Sequence, residues 1–232
     1  NRYDPTIDGM RRAVGCCHDA DAVQRDDIPV CEVNLKLSPE AVVDSPWSLT
    51  QLLFLQAVYN AQEGRYDPVE YDILHDSMIR LREYVGIDTD DVIELVEAGL
   101  LTEDSYPHKL YSVTPDGRDA IGEAYREGVD YGDGAGDLDE TSQHVLLVEA
   151  GTRLLERTYL DDPESDVVEV KPYHEIRVDG QTRRLDCAGL DEDGDVVVAV
   201  EAERINHDTR EAVPADFDKM AACDPDRAIW IA

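Results

Sequence analysis

Three acidic side chains make the most specific chemical suggestion in this 232-residue chain. Glu201 and Glu203 are two residues apart and follow the aliphatic run Val196-Val197-Val198-Ala199-Val200. On a strand, residues two apart face the same side. Asp186 lies fifteen positions before Glu201, on the preceding strand across a tight turn at Asp191–Gly194. Three carboxylates gathered at one end of a sheet form a hard oxygen site suited to Mg²⁺ or Mn²⁺. A cation of that kind binds a scissile phosphate, lowers the pKa of a water and stabilises the leaving oxygen. If the preceding hairpin pairs symmetrically about Asp179-Gly180, Lys171 projects from the same face as Asp186 and supplies a positive charge. Lys219 lies ~16 Å along its helix from a start near Asp208, and is a poor candidate on that ground. A plainer reading stands beside this one. In so acidic a chain, a strand end carries exposed carboxylates by composition alone, over an inactive fold. His207, next to Asn206, reads as a surface residue at a helix start.

The elements that must hold these residues follow from periodicity. A helix is expected from Thr141 to Leu160, with an apolar stripe of Leu147, Gly151, Leu154, Leu155 and Thr158. Val167–Lys171 reads as a strand continuing towards Ile176, and the chain returns as Arg183–Ala188. Asp195–Glu203 is apolar on both faces up to Glu201, the pattern of a central strand. A helix over Asp208–Ala222 and a strand at Ala228–Ile231 complete an α/β unit with a mixed sheet.

That order, together with Asp186 and Glu201-Ala202-Glu203, resembles the PD-(D/E)xK nuclease superfamily across residues 140–232. The resemblance implies a restriction endonuclease-like domain and metal-dependent deoxyribonuclease activity, with Asp186, Glu201 and Glu203 holding the ion. Two departures stand out. Glu203 occupies the place of the usual lysine, a variant that some restriction enzymes of this superfamily use. Leu185, not proline, precedes Asp186. Glu149 would be the helix carboxylate that some members add, although it falls opposite the apolar stripe.

Residues 47–128 read as a separate domain. Ser48 and Gln51 form a capping box, and Gly64 closes the first helix. Asp67, Pro68 and Glu70 open a second helix carrying Leu74, Met78, Leu81 and Val85. A third runs from Asp88 through Val92, Leu95 and Val96 to Gly99. Leu100–Thr102 and Leu110–Val113 make a hairpin, and Thr114-Pro115 starts a fourth helix that passes Ile121 and Tyr125 to end near Gly128. The stretch Glu94–Ile121, ELVEAGLLTEDSYPHKLYSVTPDGRDAI, resembles the signature of prokaryotic winged helix-turn-helix regulators. In that family the helix before the wing usually enters the major groove. Here it carries Asp88, Asp90, Asp91, Glu94 and Glu97 and no base, so readout by Arg or Lys is not available. Arg80, Arg82, His108 and Lys109 are the local cations that would touch phosphate. A DNA-reading and a protein-docking winged helix stand as equal readings.

Residues 1–46 read as an irregular extension with one strand at Val30–Leu37, and 129–139 as a Gly/Asp linker. Cys16, Cys17, His18 and Cys31 lack the spaced pairs of a structural zinc site, and the five cysteines read as free thiols.

Composition sets the surroundings. The chain carries 53 acidic and 21 basic residues, for a net charge of -32. Asp outnumbers Glu 33 to 20 and Arg outnumbers Lys 17 to 4. This resembles cytoplasmic proteins of extreme halophiles. Near 1 M salt the Debye length is ~3 Å, so the negative charge does not exclude DNA as a partner. No apolar run approaches the ~20 residues of a membrane span, and no leader opens the chain. A start at Asn1 and a stop inside a strand read as a fragment of something longer. The runs FLQAVYNAQEGRYDPVEYD, AVEAERINHD and EAVPADFDKMAACDP resemble the C-terminal region of haloarchaeal, often plasmid-borne, conjugation-type DNA-translocating ATPases. That resemblance implies a motor upstream and work on mobile-element DNA.

Overall fold

The computed structural model describes residues 33–68, 70–123, 141–178, 180–202 and 209–232, without the side chains of 209–212 and 215. The chain divides into two compact units, Asn1–Ala124 and Tyr125–Ala232.

Unit 1 contains α1 (Pro39–Asp44), α2 (Leu49–Gln62), α3 (Ile79–Val85), α4 (Thr89–Glu97), β1 (Leu101–Asp104), β2 (Leu110–Val113) and α5 (Pro115–Ile121). Both halves of the capping box that starts α2 are present, Ser48 and Gln51 each bonding the other's backbone amide. α2 is the axis of the unit. Leu52, Phe54, Leu55 and Val58 are fully buried, and Phe54 meets Tyr111 of β2 edge to face at 5.5 Å. Gln62 Oε1 accepts the Val113 amide at 3.0 Å, which ties α2 to the hairpin. β1 and β2 pair antiparallel, Leu101 opposite Val113. α5 packs back against Leu100 so closely that a Cβ on Gly117 would stand 2.2 Å from the Leu100 carbonyl oxygen. At the end of this helix Glu123 is buried, and Lys36, Arg65 and Gln56 all donate to it. Burial opposes its charge, but these donors hold its carboxyl below the ordinary range.

Three expectations for this unit differ from the structure. The second helix spans Ile79–Val85 and not the whole of Asp67–Val85. Upstream, aspartates take the donors that a helix would use: Asp76 Oδ2 accepts the Asp72 amide at 2.7 Å and Asp72 Oδ1 the Leu74 amide at 3.0 Å. Short acidic side chains compete with the helical ladder in this way. Val33–Leu37, the described part of the expected N-terminal strand, is irregular chain. The fourth helix stops at Ile121, where Gly122 takes a left-handed φ of 70°; Tyr125, Gly128 and the linker at 129–139 lie outside the described residues.

Unit 2 holds α6 (Ser142–Leu155) with a π-helical extension Glu156–Leu160, then β3 (Glu169–Val178), β4 (Gln181–Leu190), β5 (Val196–Ala202), α7 (Thr209–Ala221) and β6 (Arg227–Ile231). The sheet order is β3-β4-β5-β6. β3, β4 and β5 are antiparallel neighbours, and β6 runs parallel to β5. Helices cover both faces. Leu155 of α6 packs with Val167, Cys187, Val198 and Val200, while Met220 of α7 packs with Leu185, Ala188, Leu190 and Ala199. β5 is therefore apolar on both faces because each face is a core. The stripe of α6 is phased differently from expectation: Val148, Gly151, Thr152 and Leu155 are buried, and Leu154 is exposed. No described helix is long and apolar enough to cross a membrane.

Candidate active site at the end of the central strand

β5 alternates up to its end. Val198 and Val200 face α6 and Ala199 faces α7, so Glu201 falls on the α7 side, two residues after Ala199. The last ladder pair between β4 and β5 is Cys187 with Val200. One step further along the same register, Asp186 comes opposite Glu201. Here the backbone ladder gives way to a side chain, and Asp186 Oδ2 accepts the Ala202 amide at 2.7 Å. On its other edge β4 also departs from a plain ladder at this point. Pro172 pairs with Cys187 and His174 with Leu185, and the intervening Tyr173 has a φ of 53°.

Each carboxylate has a basic neighbour from a different helix. His144 Nε2, in the first turn of α6, lies 3.3 Å from Asp186 Oδ1. Lys219 Nζ, in the last turn of α7, donates to Glu201 Oε2 at 2.8 Å and lies 3.1 Å from Asp216 Oδ1. Glu201 is 2% exposed, and its second oxygen, Oε1, is buried without a hydrogen-bond partner among the described residues. The two acids respond in opposite directions. Burial raises Asp186, but the hydrogen bond and charge of His144, the Ala202 amide and the Lys219 charge outweigh it, so its carboxyl sits below the ordinary range. For Glu201, burial first and the Asp186 charge second push the pKa up to about 9, against the pull of Lys219. Burial disfavours the Lys219 charge too, yet Glu201 and Asp216 hold its pKa above the ordinary value. Burial and the Asp186 charge thus favour the protonated form of Glu201, while Glu201 and Asp216 favour the charged form of Lys219. A pair of like acids driven apart in pKa is a frequent mark of a functional site.

The structure brings together Asp186 and Glu201 from the expected set. Glu203 and His207 lie outside the described residues, as do Cys16, Cys17, His18 and Cys31. Lys171 sits opposite Ala188 in the β3–β4 register and pairs with Glu169 Oε2 at 3.0 Å. Glu149 is bound to Arg153 at 2.8 Å, one helical turn on. Among the described residues, no three His, Cys, Asp or Glu side chains form a metal-holding group. Of the thiols, Cys187 and Cys223 are free, and burial pushes Cys187 up to about 11.

Two residues of the site escaped the sequence reading. Distance along α7 excludes Lys219 only if the first turn of that helix abuts β5. The packing of Met220 on Ala199 and Leu185 instead sets the last turn beside the strand end. His144 belongs to the true stripe of α6, one turn before Val148, and correct phasing of that stripe would have put it towards the sheet.

In unit 1 the expected DNA-contacting cations are engaged locally. Arg80 is 3.2 Å from Asp76 with 13% of its side chain exposed. Arg82 donates to Thr89 Oγ1 at 3.3 Å, His108 Nε2 is 3.1 Å from the Ile73 carbonyl oxygen, and Lys109 is paired with Glu103. The helix before the hairpin, α4, leaves Asp90, Ile93, Glu94 and Glu97 exposed. No protein-family model, curated protein or solved structure matches this chain.

Proposed function

We propose that unit 2 is a metal-dependent phosphodiesterase domain of the PD-(D/E)xK kind, acting on DNA, with unit 1 as a winged helix that brings it to DNA or to a partner protein. The observation that carries this reading is the buried Glu201–Lys219 pair at the sheet end, with Asp186 opposite Glu201 one register step beyond the Cys187–Val200 pair. The buried oxygen Glu201 Oε1, which has no partner among the described residues, fits a divalent cation, since a buried carboxylate oxygen without a partner is rare in folded proteins. Asp186 and Glu201 would hold Mg²⁺ or Mn²⁺, with Glu203 two residues further on as the third oxygen donor. When bound, such an ion supplies phosphate binding, water activation and leaving-group stabilisation.

The chain's own residues have separate tasks in this scheme. His144 orients the Asp186 carboxylate and keeps it ionised. Lys219 supplies the positive charge that the superfamily's lysine supplies from the strand, here from the following helix, and it offsets part of the cost of burying Glu201. The Glu201 proton must leave before that carboxylate takes a ligand, so cation binding releases a proton and strengthens with rising pH. The acidic, lysine-poor composition supports placing the domain in a haloarchaeal cytoplasm, on mobile-element DNA beside a translocating ATPase.

The test is Mn²⁺-dependent cleavage in high KCl on duplex, single-stranded and branched DNA, with Mn²⁺ binding followed by calorimetry. Glu201→Gln should abolish both cleavage and the proton release. A wild-type protein that neither binds Mn²⁺ nor cuts refutes the enzyme. A second reading, a non-catalytic adaptor on a degenerate nuclease fold, draws support from unit 1. Its cations are engaged internally and the exposed face of α4 is acidic with Ile93 at its centre, which suits a basic protein partner better than DNA.

A further inference from the structure

Beside the site lies an aromatic pair that no packing requirement of the core explains. Phe217 of α7 and Trp230 of β6 stack with parallel rings, centroids 6.3 Å apart. Both are open to solvent, Phe217 at 58% and Trp230 at 38%. Large apolar side chains are normally buried on folding, and exposing two of them together forgoes that gain. Their place is specific. Trp230 pairs in register with Glu201 across the β5–β6 ladder. Ile229 and Ile231 pack on the α6 side of the sheet, so Trp230 faces the α7 side, as Glu201 does. Phe217 and Lys219, two apart on α7, point to different sides of the helix, so Phe217 meets the site through its contact with Trp230. The stack thus borders the carboxylate–lysine pair on its own face of the sheet.

We infer that Phe217 and Trp230 form a stacking platform for an unpaired nucleobase of a single-stranded or flapped nucleic acid whose backbone passes the Asp186–Glu201 site. The inference rests on the phosphodiesterase reading for the orientation of the strand, but binding can be measured apart from cleavage. Charge argues for this mode of contact. Asp216 and Asp218 flank Phe217, so phosphate attraction is absent there, and at molar salt ionic contacts are screened within ~3 Å. Base stacking needs no cation and tolerates sequence change, because every base offers a π face. A base inside a duplex has both faces occupied, so the platform selects unpaired bases.

Trp47 and Trp230 are the chain's two tryptophans, which gives a direct readout. Oligo(dT) of about ten nucleotides, a length within one stacking site, is titrated into the full chain in 2 M KCl with EDTA. The expected result is quenching of tryptophan emission that survives Trp47→Phe and disappears in Trp230→Phe. Phe217→Ala should weaken binding about tenfold or more. Phe217→Leu keeps apolar contact with Trp230 but removes the π face, so it decides the matter if the alanine variant fails to fold. Wild-type affinity in Phe217→Leu, equal quenching by a duplex of the same length, or no quenching at all overturns the platform. Quenching without Mn²⁺-dependent cleavage leaves the platform standing and removes the enzyme; cleavage without quenching does the reverse.

Discussion

Replacing Glu201 by Gln should stabilise unit 2, and by an amount that depends on pH. Protonated Glu201 and Gln are close in shape, so in the folded state below pH 9 they are nearly equivalent. They differ in the unfolded chain, where Glu ionises near its ordinary value of 4.5. Since the folded value is raised, Glu201 carries no penalty below pH 4.5, loses stability steadily as pH rises, and levels off above about 9. The slope is at most about 1.4 kcal/mol per pH unit, which gives up to about 3.5 kcal/mol at pH 7 and under 1 kcal/mol at pH 5. Asp186, whose value is lowered, works in the opposite sense and at lower pH: its contribution is present above its ordinary value of 3.8 and is lost as pH falls below it. It is common to both proteins and cancels in the comparison. The assay is urea denaturation of wild type and variant at pH 5, 6, 7 and 8 in 2 M KCl with EDTA, reading the transition of Trp230. A difference that does not grow with pH, or a destabilised variant, would show that Glu201 is ionised in the folded protein and refute the argument.

Three other outcomes are expected. Gly117→Ala should lower the unfolding midpoint of unit 1 and cost about 2 kcal/mol or more, because its Cβ would meet the Leu100 carbonyl oxygen at 2.2 Å; Gly86→Ala, at φ 76° in open space, should cost only about 1–2 kcal/mol from the left-handed backbone. Arg80→Ala should destabilise unit 1 by about 3 kcal/mol, since it strips the buried Asp76 of a cation, whereas Arg82→Ala should be close to neutral; denaturation midpoints separate the two, and equal effects would contradict the burial argument. The thermal midpoint of the whole chain should climb steeply between 0.1 and 2 M KCl as the repulsion of net charge -32 is screened. A flat midpoint would remove the halophile reading.

Much of unit 2 was legible because its signals are short-range. The apolar run at Val196–Val200, the turn residues at Asp191–Gly194 and the Glu201 position fix β5 and its neighbour by period alone, and Asp186 follows from pairing across the turn. What was not legible depended on tertiary placement. The phase of α6 is ambiguous in sequence because Leu147 and Leu154 compete with Val148 and Thr152 while Gly151 and Leu155 fit either stripe; only packing on the sheet, where Gly151 approaches Ile231 and Val200, chooses between them. Lys219 reaches Glu201 through the seating of α7 on the sheet, which no local pattern encodes. In unit 1 the apolar spacing of Leu74, Met78, Leu81 and Val85 suggests a longer helix than forms, because the carboxylates of Asp72 and Asp76 bond nearby amides and take the place of its first turns. The same logic hid the engagement of Arg80: a cation counts as a phosphate ligand in sequence until its neighbour is known.

The bond from the Ala202 amide to Asp186 has a consequence for measurement. In an ordinary sheet that proton would be shielded by a backbone carbonyl and would report only the opening of the strand. Here its shield is a carboxylate that also faces His144, so whatever draws on Asp186 competes for the same oxygens. The exchange rate of one amide hydrogen with heavy water thereby becomes a gauge of the site's chemical state. Its protection relative to the intrinsic exchange rate should fall on acidification towards Asp186 protonation and on capture of the carboxylate by a ligand, while the protection of the Val198 and Val200 amides is unchanged.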